Sequence, residues 1–456
     1  MARSIGRGIA VFAASVCVCA ALLLAVCAWI PQSSIAPAMQ RAEAYFSANG
    51  GFPMVVEGAA ATRMDNYADV ALLSVIYHAD HTQPLRSVIS SPYYRNDGQD
   101  IRLDFHASVV DGQPANNEYS RYWHGSQVLL RPLLTFASIE GCRAILFGLL
   151  LAMNAVLAWL LVRRRALRPL IIYLAGMVLV QFWMCLFTLE YVMSFLVMTG
   201  ACIAVALLVK PGAAPAQNTC RMTHICIASG VAVCFLDFLT AETLTFTVPV
   251  LLFLMLNQES SQKPLHWKQL FGWLVRFGAA WVLSYAMMFL IKWALVYAVM
   301  GAEALMNVFS SAAYRIDRSA AADPAAGETV RSALLPAMLA RNIGILFPFA
   351  TRLTVSSAFG AAAGVLAVWG AVWYLFRAPK TDGVFLTGLL LVGLIPYARM
   401  LALSSHALDH YFFTYRAQAA TLMALLAVLV YSIRPSDLRK GQKRRQRTKK
   451  MALKRK

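Results

Sequence analysis

Two aspartates four residues apart, Asp65 and Asp69, stand in the stretch 63–69, which reads Arg-Met-Asp-Asn-Tyr-Ala-Asp. A carboxylate within hydrogen-bond reach of a hydroxyl accepts its proton as that oxygen attacks a carbon centre, so this stretch is a candidate for general-base chemistry. If it is helical, the spacing puts both carboxylates on one face. Asp65 sits between Arg63 and Tyr67, whereas Asp69 opens the apolar run 70–73 and reads as a helix cap. Asp65 is therefore the preferred base.

A second polar group lies at 406–416, where His406, Asp409, His410, Tyr411, Thr414, Tyr415 and Arg416 lead directly into an apolar segment. His406 and His410 are spaced to share a helix face, which is also compatible with a metal ligand pair, although no H-E-x-x-H glutamate lies between them. An aromatic belt with a snorkelling arginine is the plainer reading, but a belt has no use for an aspartate and paired histidines. Asp237 and Glu242 flank a tight turn between two apolar segments, and Glu190 lies at another such junction. Each is either a helix-end charge or part of a site.

The elements that must position these groups are membrane helices. With 59% hydrophobic and 14% charged residues and a mean hydropathy of +0.59, the chain cannot cover a soluble surface with polar groups, which predicts an all-α polytopic membrane protein. The apolar run ending near residue 30 exceeds a signal-peptide core, so it reads as a retained first helix over 1–30. Nine more apolar segments follow at 144–162, 169–187, 191–209, 222–239, 244–256, 271–292, 355–376, 383–401 and 415–433, about ten spans in all. Between the first helix and the bundle at 143–433 lies a large polar loop over 31–142, and a second loop covers about 293–354. In the first loop, 40–48 reads as an amphipathic helix, 101–106 alternates like a strand, and 119–134 suits a helix lying on the membrane surface. The Ala-rich stretch holding Asp317, Asp323 and Glu328 reads as a flexible loop.

Threading this count through the positive-inside rule puts Arg163 to Arg165, Arg168, Lys210, Arg221, Lys263, Lys268, Arg377, Lys380 and the basic tail 434–456 on the cytoplasmic side, with both termini. Of the 22 acidic residues only Glu259, Asp382 and Asp437 share that side, so the candidate chemistry faces outward. The net charge of +19 thus reads as a topology signal and an attraction to anionic lipids, not as nucleic-acid binding. The nine cysteines show no zinc spacing and are expected to be free thiols.

A first helix followed at once by a large outer loop with an early acidic residue, and then a helix bundle with short loops, resembles the GT-C superfamily of integral-membrane glycosyltransferases. The resemblance implies a polyprenyl-phosphate-linked sugar donor, a glycan, lipid or protein acceptor in the cell envelope, and a catalytic carboxylate at Asp65 or Asp69. It leaves a divalent metal open, and the sequence has no adjacent acidic pair in the first loop. Arg352, Arg399 and Arg416 would receive the phosphate charge of the leaving group, with His406, Asp409, His410, Tyr415, Asp237 and Glu242 lining the substrate site. A flippase of a lipid-linked glycan, a polysaccharide ligase and a non-catalytic envelope scaffold remain the alternatives.

Overall fold

The computed structural model describes residues 2–260, 264–316, 324–347, 354–378 and 382–433; Arg352, Asp317, Asp323 and the tail 434–456 lie outside them. Apolar runs of the length a bilayer needs form helices because a helix satisfies its own backbone groups where no water can. Among the described residues, eight are long and apolar enough to cross a membrane. They are α1 (Ala2–Trp29), α7 (Ile139–Arg163), α9 (Leu189–Leu208), α10 (Pro215–Leu236), α12 (Trp267–Met300), α15 (Val355–Phe376), α16 (Gly383–Ala402) and the composite span Tyr411–Ser432. The last comprises α18 (Tyr411–Thr414), a 3-10 turn and α19 (Ala419–Ser432). Two shorter apolar helices, α8 (Leu167–Leu179) and α11 (Leu244–Ser260), account for the remaining expected segments. The chain is an all-α polytopic membrane protein. Its bundle carries exposed apolar side chains such as Ile9, Phe271, Leu283, Val368 and Leu375, a surface suited to lipid rather than water.

Helix α8 stops short of the expected residue 187 because Gln181 adopts a left-handed backbone (φ 54°), after which the chain continues as a 3-10 turn over Phe182–Leu186. Of the Ala-rich stretch expected to be a flexible loop, the part from residue 324 on, with Glu328, is helical as α14 (Pro324–Gly344), in keeping with alanine's helix propensity; α13 (Ala302–Ile316) ends before residues 317–323, which lie outside the described residues.

The loop 31–142 folds as a helical insert. It comprises α2 (Gln32–Asn49), α3 (Asn66–His78), α4 (Pro84–Ser90), α5 (Ile101–Val109) and α6 (Gln127–Leu133), with one short antiparallel ribbon of β1 (Pro92–Tyr93) and β2 (Asn117–Glu118). The strand expected at 101–106 is instead α5: Ile101, Asp104, Phe105 and Ser108 are buried at helical spacing, and Asp100 caps the helix by accepting from the Arg102 N–H. The surface helix expected over 119–134 is restricted to α6, because Tyr119 to Gly125 turn to dock on the bundle. There Gly125 donates its N–H to the Phe235 carbonyl at 2.8 Å, and a Cβ on Gly125 would fall 2.5 Å from that carbonyl and from the Phe235 ring. Only glycine fits that approach.

Buried cations fasten the insert to the bundle. Arg131, fully buried, donates to the carbonyls of Ile30, Ile76 and Ala79, joining the ends of α1 and α3. Lys292 of α12 donates to the Val88 and Ile89 carbonyls at 2.7 and 2.8 Å, and Trp123 Nε1 donates to Met288 O beside it. Desolvating such charges is costly, and carbonyl partners offset the cost only while the insert stays in place.

Candidate active site

Asp65 is the N-cap of α3: its Oδ1 accepts from the Ala68 N–H at 2.8 Å, and its own N–H donates to Thr188 Oγ1 at the start of α9. The second oxygen, Oδ2, accepts no hydrogen bond among the described residues. Burial pushes the carboxyl up to about 7, with the Ala68 N–H and Arg63 opposing and Asp69 adding to the rise. The capping role read for Asp69 thus belongs to Asp65, since the cap precedes the first helical residue, Asn66.

Asp69 has a different environment. Its Oδ2 accepts from Arg143 Nε at 3.1 Å and from a terminal guanidinium nitrogen at 2.7 Å, while Oδ1 accepts from the N–H groups of Leu189 and Glu190. Both side chains of the ion pair are almost fully buried. Asp69 therefore joins α3, α7 and the N-terminus of α9, a fully committed carboxylate.

Glu190, in the first turn of α9, points a buried Oε2 that has no partner among the described residues. It lies within electrostatic reach of Asp65, Asp69 and Asp237. Asp237 follows the last residue of α10 and accepts from the Thr240 N–H at 2.9 Å and from the Thr240 hydroxyl. Burial, then the charge of Glu242, raises its carboxyl to about 7, against the Thr240 hydrogen bonds and Arg399. Glu242 is paired: Arg399 of α16 reaches it with Nε at 2.7 Å and also donates to Leu239 O, while one terminal nitrogen of Arg399 is buried without a partner.

The 406–416 segment joins these two regions. His406 and Asp409 lie on α17 (Ser404–Asp409), with His410 just past its end. The imidazoles of His406 and His410 are 4.6 Å apart, and His406 Nε2 donates to the Leu239 carbonyl at 2.9 Å. Burial lowers both: His406 falls well below its ordinary range and His410 to about 4, with Arg399 and Arg315 pushing the same way and Asp409 opposing for His410. Both are neutral near pH 7. Asp409 is exposed. Tyr415 donates to Val180 O at 3.2 Å within the core.

Arg416 is buried and faces the opposite way. Its terminal nitrogens donate to Phe412 O at 2.9 Å and Ala61 O at 3.1 Å, its guanidinium lies 4.3 Å from the Tyr191 ring centroid, and Nε is buried without a partner. Tyr191 donates its hydroxyl to the carbonyl of Arg63, whose guanidinium in turn lies over Phe412. The 406–416 segment therefore touches both the Asp65 loop and the turn from Asp237 to Glu242.

Several groups at this place had no motif to mark them. The rings of Tyr119, Tyr122, His124 and Phe238 pack together beside Asp237, Tyr119 stacked on Phe238 and the other pairs tilted or edge-to-face. His124 takes a left-handed backbone, binds Tyr119 O through Nε2, and is driven to about 3 by burial and then by Lys292. Arg121 lies over the Tyr119 ring at 4.0 Å and Arg315 over Tyr122 at 5.9 Å, each with a buried Nε that has no partner among the described residues. Arginines near tyrosines in a long loop were the available signal, and it is a weak one. No group of three or more His, Cys, Asp or Glu residues among those described is arranged to hold a metal ion.

No family model, curated protein or solved structure matches the chain. The arrangement itself has two features of chemical use. Partly uncommitted buried carboxylates converge at Asp65 and Glu190, with Asp237 beside them. Guanidinium groups with unused donors lie near Asp237, Arg399 through its pair with Glu242, and Arg121 and Arg315 over the rings of Tyr119 and Tyr122.

Proposed function

We propose that the protein is a membrane glycosyltransferase that moves a sugar from a polyprenyl-phosphate-linked donor to a cell-envelope acceptor, a glycan, lipid or protein, on the outer side of the cell membrane, with both termini cytoplasmic. The observation that carries this reading is Asp65. It is a buried carboxylate with one oxygen fixed by a helix N-terminus, the other without a partner among the described residues, and a protonation point near 7. A general base works best when its protonation point lies near the working pH.

In the proposed step, the acceptor oxygen forms a bond to the anomeric carbon and its proton passes to Asp65 Oδ2. The bond from that carbon to the phosphate oxygen breaks, and its electron pair leaves with the polyprenyl phosphate. Positive charge develops on the sugar ring, and the carboxyls of Glu190 and Asp237 are suited to stabilise it. Negative charge grows on the phosphate, for which Arg399 and Arg315 retain unused donors. Arg416 also keeps an unused Nε, but both of its terminal nitrogens already hold carbonyls, of Phe412 and Ala61.

A flippase reading has less support, because Lys292, an ionisable group of α12 near the end of its apolar segment, is committed to the Val88 and Ile89 carbonyls. The test is release of polyprenyl phosphate from labelled polyprenyl-phosphate sugars by full-length protein in liposomes containing envelope acceptors. Turnover with wild type and none with Asp65→Asn supports the proposal. Transbilayer movement of the lipid-linked sugar without any cleavage would replace it with the flippase reading.

A further inference from the structure

The insert carries two cavities that share the Asp80 and Ala115 walls. One, about 630 Å³, lies between the start of α2 and the end of α3, with Gln32, Tyr77, His81 and Gln113 on its lining. The other, about 520 Å³, runs along α4 to the β-ribbon, with Gln83, Arg86, Asn117 and Glu118. Each falls within the roughly 300–1,000 Å³ of small-molecule sites, so together they would accommodate several linked rings rather than one.

The lining has a definite chemistry. The side-chain amides of Gln32, Gln83 and Gln113 make no hydrogen bond to the rest of the described chain, leaving both donors and acceptors open. Ionisable groups of both signs, Asp80, Glu118 and Arg86, alternate without a dominant charge, and Tyr77 supplies a half-buried ring. Amide and carboxylate groups around an aromatic ring match hydroxyl-rich rings that have one apolar face.

The groove also leads toward the candidate active site. Its ribbon wall pairs Pro92 with Glu118, and the adjoining Tyr93 and Tyr119 have ring centroids 5.8 Å apart. Tyr119 stacks on Phe238, the neighbour of Asp237, at 6.4 Å. At the other end the groove begins at Pro31, just beyond the end of the first span at Trp29.

We propose that this two-lobed groove holds a neutral or weakly charged oligosaccharide chain, and that the acceptor is therefore a glycan rather than a lipid or a protein. The inference rests on the glycosyltransferase reading for its role, but the binding itself is measured separately. Full-length protein in nanodiscs is titrated with end-labelled oligosaccharides of graded length released from the envelope of the source cells. Affinity should rise with length until both lobes are filled. It should fall at least tenfold in the pair Gln32→Ala/Gln113→Ala and in the pair Arg86→Ala/Asn117→Ala, whose exposed side chains are not needed for folding. Asp65→Asn should bind these oligosaccharides as wild type does, so oligosaccharide binding without sugar transfer leaves the groove standing and removes only the catalytic reading. Absence of length-dependent binding, equal affinity in both groove variants, or binding of envelope peptides alone overturns the proposal.

Discussion

Arg143 of α7 closes on Asp69 of α3 through two hydrogen bonds of 3.1 and 2.7 Å, 74 residues apart in sequence and with both side chains almost fully buried. The same guanidinium binds Asn66 Oδ1 at 2.9 Å and the Tyr45 hydroxyl at 3.0 Å. Removing one member of a buried pair leaves the other charge uncompensated, at a cost of about 3–5 kcal/mol. Arg143→Ala is therefore expected to lower thermal stability sharply, and Asp69→Asn likewise, with the double variant less impaired than the sum of the two. Thermal unfolding of the four proteins in detergent checks the coupling; fully additive losses would show that the pair is not a unit.

Arg416 supplies a second test, because the sequence reading gave it the donor's phosphate while its terminal nitrogens hold Phe412 O and Ala61 O. Arg416→Lys keeps the charge but cannot reach two carbonyls in the same fork geometry. The expected result is a loss of stability of about 1–3 kcal/mol, the cost of leaving buried acceptors unpaired, with donor KM nearly unchanged among molecules that remain folded. A large rise in donor KM at normal stability would return the phosphate role to Arg416.

The membrane helices were legible because a span needs a long apolar run, and such a run is visible without knowledge of any contact. The insert was less so. Ile101 and Phe105 satisfy a helical period as well as the alternation 101–106 satisfies a strand, and burial of Asp104 by its ion pair with Arg95 appears only in three dimensions. The capping role read for Asp69 falls to Asp65 instead: an aspartate before an apolar run reads as a cap, and nothing local reveals that Asp69 has Arg143 as a partner. Glu190 and the Glu242–Arg399 pair were visible only as isolated charges. The Glu242–Arg399 pair joins groups 157 residues apart, a turn and α16, so its meaning depends on the assembled bundle.

Charge segregation gives a topological prediction. A cysteine placed at Asp111, an exposed position of the insert, should react with a membrane-impermeant thiol reagent in intact cells, while one at Gln442 in the tail should react only after permeabilisation. Labelling of Gln442 from outside with Asp111 protected would invert the orientation and put the Asp65 site on the cytoplasmic face.

Asp65 allows catalysis and stability to be read from one substitution. Asparagine is nearly isosteric and is itself a good N-cap, so Asp65→Asn should keep the bond to the Ala68 N–H while losing the proton acceptor. Sugar transfer should fall at least a hundredfold with normal folding. In wild type the base must be ionised, so transfer should decline about tenfold per pH unit below about 7, the point to which burial raises this carboxyl. The stability effect has the opposite sense: the folded-state value lies above the ordinary 3.8, so the contribution of Asp65 to stability is fully present below about 4 and is lost as pH rises through about 7. Asp65→Asn, which does not ionise, should therefore match wild type near pH 4 and be the more stable protein at pH 8. Transfer rates and melting temperatures of the two proteins across that range check both limbs. Near-normal turnover in the variant would exclude Asp65 as the base and leave Glu190 and Asp237 as the next carboxylates to replace.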